Sequence, residues 1–252
     1  MLCTDMDGTM LDSNHLISNE NRQAIEYFMS EGGIFTVATG RSPVSIIPFF
    51  TDFKPNAPIV THNGAAIFNL DDEKYLQTFP LGSDAIEVLE YVEDNFDGCG
   101  YEIYDYSDIY FSKINESVKW HIKVENLEPV ETDYHDIPRP WTKAMFVQSR
   151  EETMRLREHL SKTEYWHKYS FIKSSSIFLE LLSLEATKGN AVHHMKKLIN
   201  TDVHTVICVG DNENDISLLK AADKSYAVSN AIEALKKTRS EEHTSELQSP
   251  NT

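Results

Sequence analysis

Asp5-Met6-Asp7-Gly8-Thr9 is the stretch whose reading decides the fold. Two acids one residue apart, followed by a glycine and a threonine, suit a turn that aims one carboxylate outward. The preceding Leu2-Cys3-Thr4 is apolar or β-prone and reads as the end of a buried parallel strand. Acids at that point sit at the carboxyl edge of a strand, where open α/β sheets bind ligands. A carboxylate buried there needs a cation or several donors to stay ionised. For the pentapeptide alone, an Asx-turn that caps the strand is the plain alternative.

Working outward, the same pattern recurs. Ser18 reads as the N-cap of a helix to about Glu31, with Ala24, Ile25, Phe28 and Met29 as its apolar stripe. Ile34-Phe35-Thr36-Val37-Ala38 is a second buried strand, ending in Thr39-Gly40-Arg41-Ser42-Pro43. Ile59-Val60-Thr61 is a third, and Asn63-Gly64 predicts a tight hairpin turn into Ala65-Ala66-Ile67-Phe68. Near the other end, Thr187-Lys188-Gly189 opens a helix through Val192, Met195 and Ile199. Thr205-Val206-Ile207-Cys208-Val209 is a strand running into Gly210-Asp211-Asn212-Glu213-Asn214-Asp215. Tyr226-Ala227-Val228 is a further strand. Strands alternating with helices predict an α/β fold with a Rossmann-like, doubly wound parallel sheet.

Between these parts the order changes to helix, strands, helix, strands. Ser83 or Asp84 caps a helix bearing Ile86, Leu89, Val92 and Phe96. Strands follow at Tyr101 to Tyr106 and Ile109 to Lys113, then a polar, Pro-containing connection to Thr142-Lys143-Ala144-Met145-Phe146-Val147. A helix from Glu151 to Leu160 and strands near Tyr169 to Ile172 and Ile177 to Leu182 complete an α+β insertion with its own small core. The expected division is a core of 1–81 and 183–238 and an inserted cap of 82–182. Most of the cap aromatics, Tyr101, Tyr104, Tyr106, Tyr110, Trp120, Trp141 and Trp166, are expected to fill that core or cover its sheet.

The chain has 252 residues and a formal charge of −17, which disfavours nucleic acid and anionic membranes as partners. No apolar run approaches the ~20 residues of a membrane span. Cys3, Cys99 and Cys208 form no Cys-x-x-Cys pair and read as core thiols in a reduced cytoplasm. The last fourteen residues, 239–252, are polar and aperiodic and look like the in-frame translation of a sequencing adapter. They are expected to be a foreign, disordered tail outside the fold.

Four polar clusters therefore end strands or open helices of one expected sheet: Asp5/Asp7, Thr39, Lys188 and Asp211/Asn214/Asp215. Singly, Thr39 could be a turn residue, Lys188 a solvated lysine and Asp211 a strand cap. Jointly they make an inventory of nucleophilic carboxylate, second acid, hydroxyl donor, cation and metal ligands. In this the chain resembles the haloacid dehalogenase-like (HAD) superfamily of phosphohydrolases, in the Cof-type branch with a large α/β cap. The resemblance covers residues 1 to about 238, including Asn63-Gly64-Ala65 and Val228-Ser229-Asn230-Ala231.

The resemblance implies a Mg²⁺-dependent phosphatase that forms an aspartyl-phosphate on Asp5. Asp7 would be the acid and base, and Asp5, the Asp7 carbonyl and Asp211 the metal ligands. Thr39, the Gly40 amide, Lys188 and Asn214 would bind the phosphoryl group, and Asp215 would orient Lys188 or metal-bound water. Arg41, next to Thr39-Gly40, could meet a second anionic group, and His62 could touch substrate. Expected substrates are small phosphorylated metabolites, sugar phosphates or phosphorylated cofactors, with a cap that closes over them. The expected protein is cytoplasmic, a monomer or weak homodimer. A phosphotransferase or phosphomutase using the same intermediate, or a non-catalytic phosphate-binding regulator, stays open at this point.

Overall fold

A computed structural model describes residues 1–238 apart from Ser107, Asn126 and Asn200; the expected foreign tail, 239–252, lies outside the described residues. In chain order the strands are β1 (Leu2–Thr4), β2 (Phe35–Val37), β3 (Ile59–Thr61), β4 (Ala66–Asn69), β5 (Lys74–Thr78), β6 (Gly100–Asp105) and β7 (Asp108–Lys113). They continue with β8 (Val130–Glu131), β9 (Lys143–Val147), β10 (Tyr169–Ile172), β11 (Phe178–Ser183), β12 (Ile207–Gly210) and β13 (Lys224–Ala227). The chain divides into two compact units, Met1–Thr78 with the segment from Thr187 onward, and Phe79–Ala186. The second unit opens earlier and closes later than the 82–182 expected. Leu81 already belongs to its core and donates its N–H to the Trp141 carbonyl, and Ala186 closes a turn on Ser183 at the end of β11.

The first unit is built on a parallel sheet of order β13-β12-β1-β2, extended to β3 by a parallel bridge between Ala38 and Val60. The central strands β1, β2 and β12 are mostly apolar because both their faces are covered. Phe35 and Val37 join Ile25, Ile46 and Phe50 in one cluster. Cys3, Cys208 and Ala38 join Val192, Met195, Leu218 and Leu219 in another. Strands β3, β4 and β5 add an antiparallel sheet. The helix Asn19–Ser30 starts at Ser18, whose side chain accepts from the Asn21 amide. Its buried stripe is narrower than expected: Ile25 is buried, Phe28 and Met29 are partly so, and Ala24 is exposed.

The second unit holds a six-stranded sheet of order β10-β11-β9-β6-β7-β8. One face carries Tyr101, Ile103, Ala144, Phe146, Leu179 and Leu181 against the helices Ile86–Asn95 and Arg150–Leu160. The other carries Tyr104, Met145 and Val147 with Val118 of the helix Glu116–Val124. That helix lies within the stretch read from sequence only as a polar, Pro-containing connection. It is capped by Asn115, which accepts from the Val118 amide, and only Val118 on it is buried. Tyr101 and Trp141 are buried and Trp166 stacks on Phe171, whereas Trp120 is 53% exposed. Among the described residues no helix is long and apolar enough to cross a membrane.

Candidate active site

The turn after β1 places the two acids differently. Asp5 is extended (φ −67°, ψ 162°) and its amide donates to Val209 of β12, so its side chain is held at the carboxyl edge of the sheet. Gly8 then takes φ 79°, and a Cβ there would lie 2.6 Å from Asp211 Oδ2. Glycine is required both by the backbone sign and by the approach of Asp211. The Asn230 side chain donates to the Gly8 carbonyl (2.8 Å), and Thr9 Oγ1 donates to Asp211 Oδ1 (3.2 Å).

Lys188 is the centre of the cluster. Thr187 caps its helix by accepting from the Asn190 amide, and the Lys188 side chain is fully buried. Its Nζ donates to Asp5 Oδ1 at 2.5 Å and to Asp215 Oδ1 at 2.6 Å. Burial alone would lower its pKa; the two carboxylates outweigh it and hold the ammonium charged. Asp215 Oδ2 accepts from the Asp211 and Asn212 amides, so both its oxygens are engaged in holding the loop after β12.

Asp5, Asp211 and Asp215 each bring a carboxylate oxygen within 4.8 Å of the others. Three carboxylates against one ammonium leave two negative charges uncompensated. Burial and the nearby Asp215 push the Asp211 carboxyl up to about 6. A carboxyl that holds its proton more tightly than usual for want of positive charge fits a divalent cation, and an all-oxygen donor set fits Mg²⁺. Because Asp215 is engaged by Lys188 and two amides, Asp5 and Asp211 are the side chains best disposed to hold it.

Asp7 lies apart from this cluster. Arg41 Nε donates to Asp7 Oδ2 and Arg41 Nη2 to Asp7 Oδ1, both at 2.7 Å. Burial acts to raise the Asp7 pKa, but the bonds and charge of Arg41 prevail and hold it below the usual carboxylate value. The structure thus places the Arg41 guanidinium on Asp7. Thr39 is buried, and its Oγ1 accepts from the Arg41 amide (3.2 Å), which leaves the hydroxyl hydrogen as a donor. Asn214 Nδ2 donates to Asn63 Oδ1 (3.0 Å). The sequence alone assigns no role to Thr9 or Asn63. Thr9 stands inside the opening motif, and Asn63 is hidden by its fitness for a turn, which here spans four residues between Thr61 and Ala66.

The family model for haloacid dehalogenase-like hydrolases matches residues 2–246. The Bacillus subtilis (strain 168) protein YxeH is 27% identical over 240 residues, covering 92% of this chain and 88% of YxeH. The 5-amino-6-(5-phospho-D-ribitylamino)uracil phosphatase YcsE of the same organism is 26% identical over 243 residues, covering 94% and 87%. The crystal structure of TM0651 from Thermotoga maritima superposes with a TM-score of 0.77 at 25% identity, covering 95% of this chain and 90% of that one. With the match running through nearly all of the chain and the fold shared with solved relatives, this protein belongs to the haloacid dehalogenase-like hydrolases.

Proposed function

We propose that the protein is a Mg²⁺-dependent phosphatase that hydrolyses small phosphorylated metabolites through an aspartyl-phosphate on Asp5. The observation that carries this reading is the buried contact of Lys188 with Asp5 and Asp215, with Asp211 beside them. Asp5 attacks phosphorus in line, forming the acyl-phosphate bond as the bond to the leaving oxygen breaks. Asp7 gives that oxygen its proton, then takes one from the water that attacks the intermediate. Inorganic phosphate leaves and Asp5 is regenerated. For Asp7 to carry a proton, its pair with Arg41 has to loosen. Lys188, Thr39, the Gly40 amide and Asn214 stabilise the transferring group's charge, and Asp215 fixes Lys188. Bound Mg²⁺, held by Asp5, Asp211 and the Asp7 carbonyl, would offset repulsion between Asp5 and the phosphoryl oxygens.

Sugar phosphates and phosphorylated cofactors are the substrate classes we favour. The name of YcsE, a phosphatase of a phosphoribitylamino-uracil, supports a small phosphorylated metabolite as substrate. A panel of phosphorylated metabolites, with p-nitrophenyl phosphate as a generic substrate, tests the reading. Phosphate release should need Mg²⁺ and vanish in Asp5→Asn. Release that persists in excess EDTA, or a wild-type rate in Asp5→Asn, would sink it.

A further inference from the structure

The loop His62-Asn63-Gly64 enters no step above, yet all three residues are left-handed, with φ of 50°, 56° and 102°. That conformation is unfavourable for the first two, and such strain persists only where the surroundings enforce it. His62 and Asn63 are both buried. The His62 amide donates to the Arg41 carbonyl (3.1 Å) and the Asn63 amide to the Thr39 carbonyl (2.9 Å), tying the loop to 39–41. The Asn63 carboxamide accepts from Asn214 Nδ2. It also lies against Gly40, where a Cβ would meet its Nδ2 at 3.0 Å. A Cβ on Gly64 would sit 2.2 Å from the Thr187 carbonyl carbon and 2.7 Å from the Lys188 amide nitrogen. Three residues therefore touch each of the segments that carry Thr39, Lys188 and Asn214. Asn63 Nδ2 is buried and has no hydrogen-bond partner among the described residues.

We propose that Asn63 is a positioning residue, whose carboxamide holds Asn214 in register with the Thr39–Arg41 loop before any phosphate arrives. A turn of this shape is made more easily by glycine, which would also avoid burying an unpartnered amide hydrogen. The side chain is therefore kept for what it touches, and preorganised donors are worth most where charge develops. What the positioned groups do rests on the phosphatase reading; the coupling between the two loops does not.

Hydrogen–deuterium exchange of the full chain separates the two. Asn63→Gly keeps the left-handed backbone and deletes the carboxamide, while Asn63→Asp keeps the acceptor oxygen. In Asn63→Gly, peptides covering 39–42 and 212–215 should exchange faster by about tenfold or more. Peptides covering β1 and β12 should match wild type, and Asn63→Asp should restore protection. With p-nitrophenyl phosphate, Asn63→Gly should lose about 10²-fold in kcat/KM at an unchanged melting temperature. Wild-type protection of both loops in Asn63→Gly would overturn the proposal. Should that variant fail to fold, Asn214→Ala applies the test from the other side, since exchange at 39–42 must then rise and unchanged protection refutes the coupling. An inactive wild-type protein would remove the phosphatase reading, while the exchange rates would still decide the coupling.

Discussion

Replacing Lys188 by Met removes one buried ammonium and leaves Asp5 and Asp215, which it contacts at 2.5 and 2.6 Å, facing each other in the interior. Breaking a buried pair from one side costs about 3–5 kcal/mol. For a protein of this size each kcal/mol lowers the melting temperature by about 2–4 °C, so a fall of roughly 6–20 °C is expected near pH 8. The loss has a definite pH dependence. Without Lys188, burial keeps the Asp5 carboxyl protonated in the folded state above the ordinary carboxylate value of about 4. The native state then binds more protons than the unfolded one, and the variant's stability falls as pH climbs from about 4. In the wild type the Lys188 ammonium, with its pKa raised, is charged throughout this range, so what changes with pH is the ionisation of the carboxyls that face it. Melting curves of both proteins at pH 5 and pH 8, without and with Mg²⁺, test the argument. The penalty should be smaller at pH 5 and partly relieved by Mg²⁺ at pH 8. An equal penalty at both pH values would refute the reasoning.

Because the Asp211 carboxyl is pushed up to about 6, a proton competes with the cation. Calorimetric titration should show Mg²⁺ affinity rising about tenfold per pH unit below that value and levelling above it, with proton release at pH 5.5; a flat profile would count against Asp211 as a ligand. Arg41→Met should let the Asp7 pKa rise, moving the limb of the kcat/KM profile that belongs to Asp7 toward higher pH. Superimposable profiles would mean that the guanidinium does not govern Asp7. Gly8→Ala forces a side chain to φ 79° and within 2.6 Å of Asp211 Oδ2, so a stability loss of about 1–2 kcal/mol and a weaker Mg²⁺ isotherm are expected. Unchanged denaturation and binding curves would show that the turn can relax.

What could be read from the chain alone was local or periodic. Ser18 and Thr187 announce helix starts because a side-chain oxygen three residues before an amide is a short-range signal, and both accept that bond here. The apolar runs around Phe35 and Cys208 identify buried parallel strands for the same reason. The helix Glu116–Val124 escaped because its apolar residues, Val118, Trp120, Ile122 and Val124, recur at every second position and make no helical stripe. Asn115, the residue that caps it, is equally at home in a loop.

The order of motifs along the chain determined that three strand ends and the start of the Lys188 helix would meet, since in a parallel sheet every carboxyl end lies on one edge. It also supplied the residue types: carboxylates, a lysine and a threonine. Only the tertiary structure decided how they pair. Lys188 reaches across 183 positions to Asp5, Arg41 binds both oxygens of Asp7, and Asn63 reaches Asn214 across 151 positions. Sequence spacing cannot encode those partners, because a side chain's ionic and hydrogen-bonding neighbours depend on which loops the packed sheet brings within about 3 Å of each other.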